Sequence, residues 1–280
     1  MFVLNNKSYI KGVDLMISPH DKFFKEMFNK KEVAESFIKS YLPQELLEIM
    51  DSSHLEISKD SFVDKKLKEY FSDIIYTIKI NNDSAYIYCL FEHKSYPERK
   101  VALQLLKYMT EIWDQHLKQN NSEKLPLILP LLIYHGDRRY NINKNFISII
   151  NNLPNTKKYI PDFEYLLFDF SNYSNQEIVG SIQLQIVLKI LHSVSVKDNF
   201  DQQFIEILQL IKKLNNTETV LEYFSVGLRY ILEIVDYDMD IMKQKVDTII
   251  PERSEAFMST ANKLREEGRK KGREKGREEG

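Results

Sequence analysis

The stretch YIYCLFEHKS, residues 86–95, runs through large apolar residues and Cys89 and then turns abruptly into Glu92, His93 and Lys94. It reads as a buried strand that ends in an acid and a base. Strand periodicity puts residues two apart on one face, so Glu92 and Lys94 share a side. The preceding segment SDIIYTIKI, residues 72–80, is a second strand, and NNDS supplies turn residues between them. A turn centred on Asn82-Asp83 sets Asp73 directly opposite Glu92. Two facing carboxylates repel unless something lies between them. A hard divalent cation such as Mg²⁺ takes carboxylate oxygens and keeps several waters. The carbonyl of His93 is an additional candidate ligand. On that face Lys94 could orient the attacking water and offset charge on a pentavalent phosphate. The set fits metal-assisted phosphodiester hydrolysis. The plainer alternative is a salt bridge at a strand end. Glu-x-Lys also occurs at Glu98–Lys100 and Asp-x-Lys at Asp64–Lys66, but only the 92–94 triplet ends a buried strand opposite another acid.

Further polar residues stand near this strand. In LQLLKYM, Gln104 and Tyr108 are spaced i and i+4 on one helical face, where they either brace the site or reach a phosphate, or belong to an ordinary half-buried surface. His135-Gly136-Asp137 follows the next apolar run and reads as a tight strand exit or a substrate contact. Asp169 lies in LFDFS, Glu26 on the first helix is a solvated acid or a supporting carboxylate, and His20 caps or packs beside that helix. The six histidines lack zinc-site spacing. Neither a phosphate-binding Gly-x-x-x-x-Gly-Lys-[Ser/Thr] loop nor Gly-x-Ser-x-Gly occurs, so no nucleotide cofactor is expected.

The elements that must position these residues follow from periodicity and turn chemistry. Ser18-Pro19-His20-Asp21 opens a helix capped by Ser18 or Asp21, with Phe23, Phe24, Met27 and Phe28 as its apolar face. A second helix covers Glu32–Ile38. Strands are expected at 55–63, 72–80, 85–91, 125–136 and 165–171, the fourth being apolar enough to be buried and parallel. A helix over 100–118 precedes it. From Gln176 onward, segments 178–194, 203–214 and 218–235 are amphipathic helices. The order helix, strand, strand, strand, helix, strand implies an α/β core with a mixed sheet.

The chain has 280 residues, is 43% hydrophobic, and carries a formal net charge of −2, so any nucleic-acid contact must be local. One cysteine excludes disulfides within the chain and fits a reducing cytoplasm. The N-terminus shows no signal-peptide core, and no run approaches the roughly 18 apolar residues of a membrane span. The end of the chain repeats every four residues, with Gly268, Gly272, Gly276 and Gly280 in register. Arg265, Arg269, Arg273 and Arg277 repeat likewise, and 263–280 holds eight basic and five acidic residues. Repulsion within the arginine stripe and helix-weakening glycines favour a frayed, solvated extension, removable after about residue 255 without loss of the core. Phosphate binding, or self-association into a homo-oligomer, is the alternative.

HDKFFKEMF, FSDIIYTIKI, YIYCLFEHKS, ALQLLKYM and LPLILPLLIYHG, in this order and spacing, resemble the Rpn family of recombination-promoting nucleases, the YhgA-like transposases of the PD-(D/E)XK nuclease superfamily. The resemblance covers about residues 18–170. It implies an αβββαβ nuclease core with a mixed sheet, followed by a helical C-terminal region. It further implies divalent-metal-dependent DNA cleavage linked to recombination or mobile elements. Asp73 matches the family's Ser-Asp acid, Glu92 the Glu of its Glu-His motif, and Gln104 and Tyr108 its helix pair. Lys94 stands where many relatives have Gln, nearer the superfamily pattern. The implied division is an N-terminal extension at 1–17 with a second start at Met16, a nuclease-like domain at 18–172, helices at 173–250, and the charged tail at 251–280. A catalytically silent DNA- or protein-binding module and a toxin or defence nuclease are the rival readings.

Overall fold

In the computed structural model, the structure describes residues 18–57, 74–80, 83–92, 97–120, 123–136, 138–151, 154–173, 177–195, 199–214 and 217–278. Helix α1 (Pro19–Phe28) starts where Ser18 Oγ accepts the Asp21 amide at 3.1 Å, with Pro19 supplying a preset first turn. Its face Phe23, Phe24, Met27 and Phe28 is buried. Helix α2 (Lys31–Tyr41) buries Val33, Ala34, Phe37 and Ile38 at the same periodicity, and Pro43 leads into the short α3 (Gln44–Leu47).

Five strands form one sheet in chain order: β1 (Met50–Ile57), β2 (Ile74–Ile80), β3 (Asp83–Glu92), β4 (Leu127–Tyr134) and β5 (Leu166–Asp169). The first three pair antiparallel and the last three parallel, so the sheet is mixed. Helix α4 (Val101–Gln119) joins β3 to β4. Two expectations are corrected. The first strand begins at Met50 rather than Leu55, and its pairing slips between Asp51 and Glu56, so a bulge interrupts it. The hairpin turn is also displaced: Ile80 pairs with Asp83, where a turn on Asn82-Asp83 would pair it with Ala85.

The sheet is buried on both faces. One face, with Tyr76, Ile78, Ala85, Ile87, Leu131, Ile133 and Phe168, packs on α1, α2 and the C-terminal helices. Tyr76 Oη donates to the Phe28 carbonyl at 2.9 Å, tying β2 to the end of α1. The other face, with Ile75, Tyr86, Ile128, Leu132 and Tyr134, packs on α4 and on buried residues of the connection to β5, Tyr140, Phe146 and Tyr165. The C-terminal helices are α5 (Ile182–Ser195), α6 (Phe200–Lys212), α7 (Thr217–Ile234), α8 (Met239–Ile249) and α9 (Ser254–Glu278). The first three match the expected segments. Helix α8 was not anticipated; Asp238 caps it through the amides of Asp240 and Ile241. Phe204, Phe224, Val246 and Phe257 belong to the same buried cluster as Tyr76 and Ile133, so helices and sheet share one core. Gly180 permits the close approach of α5 to α2: its φ is +106°, and a Cβ there would lie 2.8 Å from Ser36 Oγ. Among the described residues no helix is long and apolar enough to cross a membrane.

The tail differs from expectation. Helix α9 continues to Glu278. Phe257 and Ala261 are only 1% and 2% exposed, which anchors its first turns, and the described side chains beyond Leu264 are exposed. The tail is therefore solvated but helical. Arg, Lys and Glu are strong helix formers, and Glu266 and Glu267 precede Lys270 and Lys271 by four residues, the favourable orientation.

Two expected outcomes follow from this packing. Ending the chain after Asn262 should leave urea denaturation unchanged, whereas Phe257→Ala should cost about 3–5 kcal/mol, as for a large core deletion. Equal stability of the two variants would show that α9 is not anchored by that ring. The second concerns His192, buried on α5, where burial holds its pKa below 6.5 against an opposing hydrogen bond to the Phe170 backbone. Its neutral form is the one folding favours. Stability from this group is therefore complete above pH 6.5 and is lost as pH falls from there toward the lower folded value, because only the unfolded chain takes up the proton. His192→Gln should flatten the stability profile below pH 6.5. Parallel wild-type and variant profiles would place the titration elsewhere.

Candidate active site at the carboxyl edge of the sheet

Parallel pairing brings the ends of β3, β4 and β5 to one edge. Glu92 pairs with Tyr134, and Tyr134 pairs with Asp169, so the three occupy one row across the sheet. With strands about 4.8 Å apart, the backbones of Glu92 and Asp169 lie roughly 10 Å from each other. The apolar run of β4 ends at this row. Tyr134 and His135 are fully buried there.

Helix α4 runs back across the face that carries Tyr134. Its C-terminal part lies over the start of the strands: Tyr86 Oη and His116 Nδ1 are 3.3 Å apart, and Trp113 Nε1 donates to the Pro126 carbonyl at 2.9 Å. From His116 back to Gln104 the helix climbs about 18 Å at 1.5 Å per residue. From Tyr86 to Glu92 the strand climbs about 20 Å. Gln104 therefore comes level with the end of β3. It is half-buried, and Tyr108, one turn further on, is buried in the core between α4 and the sheet.

Among the other residues singled out by sequence, Asp73, His93 and Lys94 lie outside the described residues, as does Asp137. Glu92 is the last residue of β3. In the described part of the hairpin Ile74 pairs with Cys89, two residues away from the partner expected for it. A two-residue displacement keeps each position on its original face, because strand side chains alternate with a period of two. Among the described residues no three His, Cys, Asp or Glu side chains gather closely enough to hold a metal ion.

Asp169 is committed to structure. Its Oδ2 accepts the Tyr140 amide at 2.8 Å, and its Oδ1 accepts the Ser171 amide at 3.0 Å and the Ser171 hydroxyl at 2.5 Å. The Tyr140 and Tyr165 hydroxyls meet at 2.6 Å, and the Tyr140 ring stands edge-on to Tyr134 at 5.0 Å. Burial raises the Tyr165 phenol above 10.0, which keeps it a neutral hydrogen-bond partner. This tyrosine lock was not legible in the sequence, since Tyr140 and Asp169 are 29 residues apart with no shared motif. His135 is likewise a brace: Ser195 Oγ at the end of α5 lies 3.0 Å from its Nε2. Glu26 accepts from Arg229 Nη2 at 2.7 Å, between α1 and α7, on the opposite side of the sheet from α4. His20 Nδ1 is 2.6 Å from Tyr230 Oη in the same interface.

A family profile described as "Putative transposase, YhgA-like" matches residues 18–222. The chain is 26% identical over 253 residues to the inactive recombination-promoting nuclease-like protein RpnE of Escherichia coli K12, covering 90% of this chain and 83% of that protein. It is 35% identical over 121 residues to the recombination-promoting nuclease RpnD of Escherichia coli O157:H7, and 32% identical over 120 residues to RpnC of strain K12. These two matches span 43% of this chain, and only 46% and 40% of the relatives' own lengths. No solved structure matches. The profile covers most of the chain, from the cap of α1 into α7, and the chain belongs to the YhgA-like transposase family, whose relatives include proteins named recombination-promoting nucleases.

Proposed function

We propose that this chain is a divalent-metal-dependent DNA endonuclease of recombination or mobile-element biology, built on a PD-(D/E)XK nuclease core. The observation that carries the reading is the placement of Glu92, which ends β3 at the carboxyl edge in register with Tyr134. The element order from α1 through β4, with its three strands between helices, supports the core assignment.

In this reading Asp73 and Glu92, with the carbonyl of His93, are the metal ligands. They are hard oxygen donors, the type Mg²⁺ accepts, so the donor chemistry fits. When bound, such an ion supplies Lewis acidity toward a phosphoryl oxygen and an activated water. Lys94 orients the attacking water and counters charge that develops on phosphorus. Gln104 donates its amide N–H to a phosphate oxygen, and Tyr108 holds that turn of α4 against the sheet.

A second reading is favoured by a specific observation. The relative matched over 90% of this chain is named inactive, as is the shorter YjiP of Escherichia coli K12. The same fold would then serve as a catalytically silent DNA- or protein-binding module.

A plasmid-nicking assay with melting curves separates the two. Wild type should nick supercoiled plasmid with Mg²⁺ or Mn²⁺ and not with EDTA. Asp73→Ala and Glu92→Ala should each lower the rate at least about a hundredfold, as loss of a metal ligand does. Neither should unfold the protein. Lys94→Gln should be milder. Folded wild type that fails to nick with either ion would move the assignment to the binding module. Nicking by Asp73→Ala at the wild-type rate would place the chemistry elsewhere.

A further inference from the structure

We propose that Arg138 and Arg139 form a clamp for the phosphate backbone of a nucleic acid, held at the same sheet edge as Glu92. The proposal rests on the nuclease reading and names where its substrate is gripped. A chain with net charge −2 gains no general attraction for DNA, so backbone contacts must come from local groups.

The connection between β4 and β5 carries five basic residues: Arg138, Arg139, Lys144, Lys157 and Lys158. Three are engaged. Lys144 pairs with Glu164 at 2.5 Å, Lys157 with Asp162 at 3.8 Å, and Lys158 sits 4.9 Å from the centre of the Tyr159 ring. The described acids of the region are engaged too, because Asp169 is held by Tyr140 and Ser171. Arg138 and Arg139 are exposed and make no ion pair with any described residue. Among the described residues, then, no acid pairs with these two adjacent guanidinium groups.

Their backbone is nonetheless tethered on its C-terminal side. The next residue, Tyr140, is pinned three ways: its amide on Asp169, its hydroxyl on Tyr165, and its ring against Tyr134. Asp169 and Tyr134 belong to the row that contains Glu92. Consecutive Cα atoms are about 3.8 Å apart, so both arginines lie within two residues of that anchor. A preset backbone lowers the ordering cost of binding, and the planar guanidinium fork matches phosphate oxygens. Together these observations describe an exposed pair of phosphate donors, anchored through Tyr140 to the sheet edge that carries Glu92, with no ion-pair partner among the described residues.

The test is fluorescence anisotropy of the full chain with a short labelled DNA duplex, in EDTA, over a series of salt concentrations. Arg138→Ala/Arg139→Ala should weaken binding at least about tenfold and reduce the slope of log affinity against log salt by about 2. Arg138→Lys/Arg139→Lys should keep most of the slope. Lys144→Ala/Lys157→Ala removes the same charge from paired positions and should leave the slope near the wild-type value. Melting curves check that each variant folds. If both alanine pairs act equally, the effect is net charge and the clamp is overturned. If the arginine pair changes neither affinity nor slope, the clamp is overturned while DNA binding stands. If folded wild type binds no duplex, the clamp and the DNA reading fall together.

Discussion

Strand β4 is paired in parallel along both edges, and it is buried on both faces over most of its length. Everything at the candidate site depends on that constraint. A parallel neighbour cannot be reached by a tight turn, so α4 and the long connection to β5 must cross the sheet. The crossings return the strands in one direction and leave their carboxyl ends side by side. Ligand sites of open α/β sheets form beyond such ends. Pro130 sits inside this strand and removes one backbone donor. The surrounding apolar burial, Ile128 to Tyr134 against helices on both sides, holds the strand in place despite that loss.

Carboxylates at this edge have unequal roles. Asp169 has three hydrogen-bond donors on it, two from backbone amides. It fixes the path of the chain leaving β4 and the short turn following β5. Glu92 shares its row from the other side of Tyr134. The edge thus combines a structural acid, an aromatic lock and a strand-terminal acid. Two arginines are mounted by the first two. His135 and Ser195 join this edge to the end of α5, so the helical region braces the sheet from behind.

The C-terminal helices complete the core. The sheet face bearing Tyr76 and Ile133 is covered by α1, α2 and α5, and the buried cluster continues without a break to Phe257. The positive φ of Gly180, and the 2.7 Å hydrogen bond from the Ser181 amide to Ser36 Oγ, bring α5 close to α2. Beyond Leu264 the described side chains of α9 are exposed, so this part of the helix rests on local propensity rather than on packing. Its outer half is helical for reasons within its own sequence.

By itself the sequence determined most of the strands and helices, though not the start of β1, helix α8 or the helical tail, because burial periodicity and caps are local properties. Ser18 with Pro19 sets the start of α1, and the apolar run at 125–134, though interrupted by Pro126 and Pro130, reads as a buried strand that suits parallel pairing. The position of Glu92 at a strand end was legible for the same reason. The hairpin register was not. Moving the turn by one residue shifts every partner by two and leaves each apolar side chain on its original face, so hydrophobic patterning cannot distinguish the two pairings. The partners of Asp169 and His135, 29 and 60 residues away, also have no local signature. Which charged groups near the edge are neutralised, and which two arginines are left exposed, was decided only when packing brought distant parts of the chain together.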